Sequence, residues 1–220
     1  MSDLLLSWSS GKDSAWTLHV LQALPDVRVR GLFTTTDRGT GRVAGHHVAQ
    51  DLVRAQARAC ALPIDFIPLP QPCSNVRYEE SMKRYMKTAR ERGISQFAYG
   101  DLSLEDIRRY REATMKGSGI APVFPLFGAD TAQLARELVA AGLRGILVAV
   151  DLARMPAEFA GREFNEELLA DLPPGVDPCG ESGEFHTFAI DGPMFRHAVP
   201  VVAGERSERA GYATVELHAA

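Results

Sequence analysis

The chain predicts an α/β fold, a parallel sheet with helices on both faces followed by a small C-terminal extension. Three observations predict it. Short apolar runs alternate with segments of helical periodicity through most of the 220 residues. The clearest run, residues 145–150, is apolar almost throughout, as a strand buried on both faces must be. Polar turns rich in Ser, Gly, Thr and Asp fall just after strands, where such a sheet gathers its ligand site.

Residues 4–7 read as a buried strand. Ala15, Leu18 and Leu21 follow at helical spacing, Trp16 and Val20 widen the stripe, and Pro25 stops the helix. Residues 27–34 form a second strand ending at Thr34-Thr35-Thr36. After a polar loop over 37–45, Val48, Leu52, Ala55 and Ala59 share a helix face closed by Leu62-Pro63, and 64–69 is a third strand. Tyr78, Met82, Tyr85 and Ala89 mark another helix, ended by Gly93. A short strand over 96–99 leads to Gly100-Asp101, then a strongly charged helix over 104–115 and an extended, proline-broken stretch over 123–127. Leu134, Ala135, Leu138 and Val139 give a further helix before 145–150. Beyond about Asp171 short strands over 185–190, 196–202 and 212–218 alternate with Gly-containing turns. The chain therefore divides into an α/β unit over 1–170 and an extension over 171–220.

Composition narrows the function. A hydrophobic content of 45% is ample for one core, and a net charge of −4 disfavours a nucleic-acid binder. The three cysteines, Cys60, Cys73 and Cys179, are widely spaced and form no Cys-x-x-Cys pair, so neither a zinc site nor a disulfide framework is indicated. No apolar stretch reaches membrane-spanning length and no signal segment is evident, which predicts a cytoplasmic protein without a membrane partner.

The most informative stretch is Leu4-Leu5-Leu6-Ser7-Trp8-Ser9-Ser10-Gly11-Lys12-Asp13-Ser14. A buried strand breaks into a Ser/Gly turn and a helix starts at once, so several backbone N–H groups point one way at the positive end of a helix dipole. That arrangement attracts phosphate. Lys12 adds a cation, and Ser9, Ser10 and Ser14 add hydroxyl donors. A Walker A loop is excluded, because the required first glycine is Leu6 and Lys12 is followed by Asp13. A carboxylate so near phosphates implies Mg²⁺ between them, with Asp13 as its ligand. A polar-capped turn without a ligand uses the same residue types.

A second dense block is Asp177-Pro178-Cys179-Gly180-Glu181-Ser182-Gly183-Glu184-Phe185-His186-Thr187. Glu181 and Glu184, presented by glycine turns, could bind Mg²⁺, hold ammonium or act as general base. A solvated acidic turn, a Cys179/His186 nucleophilic pair, and a metal site from Cys179, Glu184 and His186 are the alternatives.

Ser9-Ser10-Gly11-Lys12-Asp13-Ser14 resembles the S-G-G-x-D-S pyrophosphate loop of the PP-loop ATPases. Among them it is similar to the diphthine–ammonia ligase family and its bacterial relatives, where the loop often reads S-S-G-K-D-S. Ser10 then gives up the glycine that could adopt any backbone conformation at no cost. Residues 177–187 resemble the G-E-x-G-E block of that family, and the match extends to Gly45-His46-His47-Val48, Pro72-Cys73-Ser74-Asn75, the Gly100-Asp101-Leu102 to Tyr110-Arg111-Glu112 stretch and Pro125-Leu126-Phe127.

The resemblance implies a Rossmann-like, HUP-type adenine-nucleotide fold and an AMP-forming amide ligase. ATP, with Mg²⁺, would adenylate an acceptor oxygen, and ammonia would complete the substitution. Ser9, Ser10, Gly11, Lys12, Asp13 and Ser14 would grip the phosphates, with Thr34, Thr35 and Gly100 bordering the nucleotide. Lys12, Asp101, Glu181 and Glu184 would serve catalysis, and His46, Asn75, Arg111 and His186 the substrate. The acceptor is a carboxylate on a small molecule or a protein side chain; in diphthine–ammonia ligases it is the modified histidine of elongation factor 2. The assembly left open is a homodimer. A nucleotide-binding regulator is the rival reading, with a PP-loop tRNA-modifying enzyme third, disfavoured by charge and by the missing cysteine pairs.

Overall fold

In the computed structural model, which describes residues 1–43 and 48–220, the three leucines Leu4, Leu5 and Leu6 lie at the centre of the molecule, none of them exposed. They belong to strand β1 (Ser2–Ser7), and their burial on both faces follows from where β1 sits. It pairs in parallel with β2 (Val27–Asp37) on one side and β4 (Gln96–Ala98) on the other. With β3 (Ile64–Leu69) beyond β2 and β5 (Ala121–Val123) beyond β4, the order is β3-β2-β1-β4-β5, all parallel. This is the α/β, Rossmann-like sheet the alternating pattern predicts.

Side chains alternate across a strand, so β1 feeds two cores. Leu5 points to the face shared with Phe33, Phe97 and the buried Met82 and Met86 of α3 (Asn75–Glu91). Leu4 and Leu6 point to the other, where they meet Ala15, Leu18 and Leu21 of α1 (Lys12–Gln22) and Leu52, Val53 and Ala57 of α2 (Gln50–Ala59). Each fully buried leucine contributes roughly 1.5–3 kcal/mol. The charged helix α4 (Glu105–Met115) buries only its last residue, Met115. Helix α5 (Thr131–Ala140) starts at Asp130, whose carboxylate accepts from the Gln133 amide at 2.8 Å.

The apolar run expected as a strand of the parallel sheet lies elsewhere. Strand β6 (Arg144–Asp151) is antiparallel to β7 (Phe185–Asp191) and β9 (Tyr212–Ala219), in a four-stranded sheet ordered β7-β6-β9-β8. A strand buried on both faces looks the same in either kind of sheet, and periodicity cannot choose between them. The strand expected over 196–202 is β8 (Val201–Arg209), which begins near the end of that span. All but its first residue are exposed, so no apolar alternation marks it. A short helix α6 (Glu166–Asp171), capped by Asn165, had no signal either. Nor do Thr34-Thr35-Thr36 follow the second strand; they lie within β2, paired with Phe66, Ile67 and Pro68 of β3.

The second sheet does not float free. Leu147, Val150, Phe185 and Phe188 share one continuous core with Leu4, Leu6 and Leu18. That shared core presses the start of β7 against the start of α1, and so brings two regions 175 residues apart into contact.

Candidate active site

The chain leaves β1 at Ser7 and enters α1 at Lys12 through four residues. Ser10 turns them by adopting φ +73°, the left-handed region where residues other than glycine are strained. Its carbonyl accepts from the Ala189 amide at 2.9 Å and from Gln56 Nε2 at 2.9 Å, while its hydroxyl is buried with no partner among the described residues. Gln56, itself fully buried, also donates to the Ala189 carbonyl at 2.7 Å and accepts from the Trp8 indole at 2.8 Å. One amide side chain thus ties β7, α2 and the turn together.

Helix α1 has no side-chain cap at Gly11. The Lys12 amide donates to Thr187 Oγ1 at 3.0 Å, whereas the Asp13 and Ser14 amides have no acceptor among the described residues. A Cβ on Gly11 would stand 3.2 Å from the Thr187 carbonyl, so glycine allows β7 to close on the turn. Ser9 Oγ donates to Ser14 Oγ at 3.2 Å, and Ser14 Oγ to the Gly11 carbonyl at 2.9 Å. Free amides, two hydroxyls and a helix dipole therefore face one side.

Lys12 is only 2% exposed. Its ammonium contacts both Asp13 carboxylate oxygens at 2.9 Å and the Cys179 carbonyl, and stands over the Phe164 and Phe185 rings. Burial by itself lowers its pKa, but the Asp13 carboxylate and the surrounding acceptors outweigh that and hold it above the ordinary value. All three ammonium donors are engaged, so the side chain clips the 179–181 segment to the phosphate-type turn.

That segment is organised by Asp177. Its Oδ1 accepts from the Cys179 amide at 2.8 Å and the Glu181 amide at 3.3 Å, and Oδ2 accepts from Thr131 at 2.6 Å. Gly180, at φ +67°, leaves no room for a Cβ, which would meet the Phe185 carbonyl at 2.9 Å. Glu181 is thereby aimed at the loop after β4. Its Oε1 accepts from the Ser103 amide at 2.8 Å and the Leu102 amide at 3.1 Å. Burial raises its pKa; the backbone amides of Leu102, Ser103 and Leu104 offset this only in part, and Asp13 adds to the rise.

In the loop after β4, Asp101 receives Arg111 Nε at 2.6 Å and Nη2 at 3.1 Å, with the guanidinium 4.1 Å from the centre of the Tyr99 ring. Gly100 lets this loop approach α1, since a Cβ there would lie 2.9 Å from Thr17 Oγ1. Together the three loops enclose a cleft of about 270 Å³. Ser9, Gly11, Lys12, Asp13 and Ser14 line it from the turn, Gly100, Asp101 and Arg111 from the side of β4 and α4, and Glu181 and His186 from the side of the second sheet.

Other expected residues lie away from that cleft. Ser10 shapes the turn, fully buried. Thr34 is buried within β2 and Thr35 half-buried beside it, and Asn75 is exposed at the first position of α3. Glu184 is 1% exposed, and its Oε1 meets Arg154 at 3.0 Å and the Asp177 amide at 3.2 Å. It braces the Asp177 turn rather than lining the cleft. His46 falls outside the described residues. The Cys179 thiol donates to the Thr131 carbonyl at 3.3 Å, and burial pushes its pKa up to about 12, which removes it as a nucleophile at neutral pH. Gln56, Thr187 and Asp177 carry positional roles the sequence reading assigned to none of them. Gln56 left one trace, a polar residue four positions after Leu52 on an otherwise apolar stripe.

Among the described residues, no group of three or more His, Cys, Asp or Glu side chains gathers to hold a metal ion. Mg²⁺ bound to phosphates keeps most of its waters and needs only one or two carboxylates, and Asp13, lining the cleft, meets that requirement.

Comparison with known proteins adds to this geometry. Residues 130–219 match the model of the diphthamide synthase C-terminal domain family. The chain is 26% identical over 223 residues to the diphthine–ammonia ligases of Bos taurus and Homo sapiens, covering 90% of this chain and 82% of each relative. It is 34% identical over 108 residues to that of Danio rerio.

Proposed function

We infer that this chain, a PP-loop ATPase of the diphthine–ammonia ligase family, is a ligase that forms an amide from a carboxylate and ammonia at the expense of ATP, releasing AMP. One observation carries the reading: the uncapped start of α1, the Gly100-Asp101 loop and Glu181 converge on a single cleft although they are far apart in sequence.

The pyrophosphate end of ATP lies at the turn, accepting from the Asp13 and Ser14 amides. Because these amides are fixed before substrate arrives, they stabilise the growing charge on the leaving group without reorganising, and the Ser9 and Ser14 hydroxyls can join them by turning from their present acceptors. Mg²⁺, held by the phosphates and Asp13, supplies charge neutralisation there when bound. Lys12 acts by holding Asp13 and the 179–181 segment in place.

The acceptor carboxylate oxygen attacks the α-phosphorus, the bond to pyrophosphate breaks, and an acyl adenylate forms. Ammonia then attacks the acyl carbon, AMP departs, and the surplus proton of the attacking nitrogen passes to the Glu181 carboxylate. Burial raises the pKa of that carboxyl, which makes it a stronger base than a solvated glutamate. The Arg111–Asp101 pair orients the acceptor, with His186 also lining the cleft.

The test is incubation with ATP, Mg²⁺, ammonium and a panel of carboxylates, resolving AMP from ADP. AMP and pyrophosphate formed only when an acceptor is present support the reading, and ADP alone refutes it. Glu181→Gln should retain binding of a nonhydrolysable ATP analogue and lose AMP release. If it keeps its cellular role intact, the nucleotide serves regulation instead.

A further inference from the structure

A second groove, of about 400 Å³, opens where β2 and β3 end and α3 begins. Its walls carry Arg38, Arg77 and Arg84, the hydroxyls of Ser74 and Ser81, and a single acid, Glu80. The Arg38 backbone is fixed by its amide donating to the Leu69 carbonyl at 2.8 Å, and Arg77 by its amide donating to Ser74 Oγ at 3.4 Å. Among the described residues none of the three guanidiniums reaches a carboxylate; Arg84 donates only to Ser81 Oγ, at 3.0 Å. Three like charges sharing one concavity repel one another, and an anion between them removes that cost. The guanidinium fork matches the oxygens of a phosphoryl group two at a time.

All five strands of the first sheet are parallel, so this groove and the cleft open on the same edge. Pro70 and Val76 also line the groove and offer apolar contact to the carbon skeleton of a phosphate ester. The chain's net charge of −4 works against a long polyanion, which leaves a compact ligand as the better fit.

We propose that Arg38, Arg77 and Arg84 form a second anion site, separate from the cleft, that holds the phosphoryl group of a compact phosphate ester.

The experiment titrates inorganic phosphate, and separately glycerol phosphate, into the full chain already saturated with α,β-methylene-ATP and Mg²⁺, read by calorimetry. One saturable site is expected for each, weakened about tenfold by Arg77→Gln or Arg38→Gln, the worth of one charge-assisted hydrogen bond. Arg109→Gln, on the exposed face of α4, should leave it unchanged. Absence of a saturable site, or affinity indifferent to the Arg38 and Arg77 substitutions, overturns the proposal. Preference for a glutamate-rich peptide or an oligonucleotide over glycerol phosphate overturns it too. Because the readout is binding, it succeeds or fails independently of whether AMP is ever formed.

Discussion

Replacing Ser10 by glycine should stabilise the protein. Two costs meet at this residue. Its backbone sits at φ +73°, where a side chain is disfavoured, and its hydroxyl is buried without a partner among the described residues. Ser10→Ala removes the hydroxyl and keeps the strain, for a gain of about 1 kcal/mol. Ser10→Gly removes both, adding about 1 kcal/mol more after the extra freedom glycine has in the unfolded chain is counted. For a protein of this size the glycine variant should melt roughly 5 °C higher than the parent and the alanine variant about half as much. Urea unfolding at constant slope measures the same ordering. If glycine is no better than alanine, the turn stores no strain. If glycine is worse than serine, the hydroxyl is not an uncompensated group and the account of the turn fails.

Gln56→Leu should be strongly destabilising, by about 3 kcal/mol, since it strands the Trp8 indole N–H and withdraws a donor from both the Ser10 and Ala189 carbonyls; urea unfolding reads it, with a raised KM for ATP as the functional echo. Glu181→Gln should change the pH dependence of stability. The carboxyl's folded pKa lies above its unfolded one, so the folded state binds the extra proton between them, and stability declines as pH rises through that window. The glutamine variant should lack that decline and melt higher than the parent at neutral pH but not below the unfolded pKa; parallel melting profiles would contradict it. Cys73 should be the one thiol labelled by a disulfide reagent in the native protein. Cys60 and Cys179 are buried and pushed up to about 12, and should react only after unfolding, as mass spectrometry of the labelled chain would show.

The residues that announce the site do so through local chemistry. A Ser/Gly turn between an apolar run and a helix exposes amides wherever it occurs, so residues 9–14 were legible before any fold was known. The 177–187 block stood out through its glycines and paired carboxylates, and alternation of strands with helices marked the parallel sheet. Side-chain direction was not. Glu181 and Glu184 are three residues apart and alike in sequence, yet one faces the cleft and the other is 1% exposed against Arg154. The turns at Gly180 and Gly183, and not the spacing, send them apart.

By itself, then, the sequence determined the strands and helices of the first sheet and where their polar ends fall, because backbone preference and hydrophobic period act over a few residues. The tertiary structure decided which sheet residues 144–151 joined, that Gln56 became a buried hub, and that Thr187 came to rest on Lys12. Those outcomes depend on contacts between segments far apart along the chain, and the energy of such a contact leaves no mark on either segment alone.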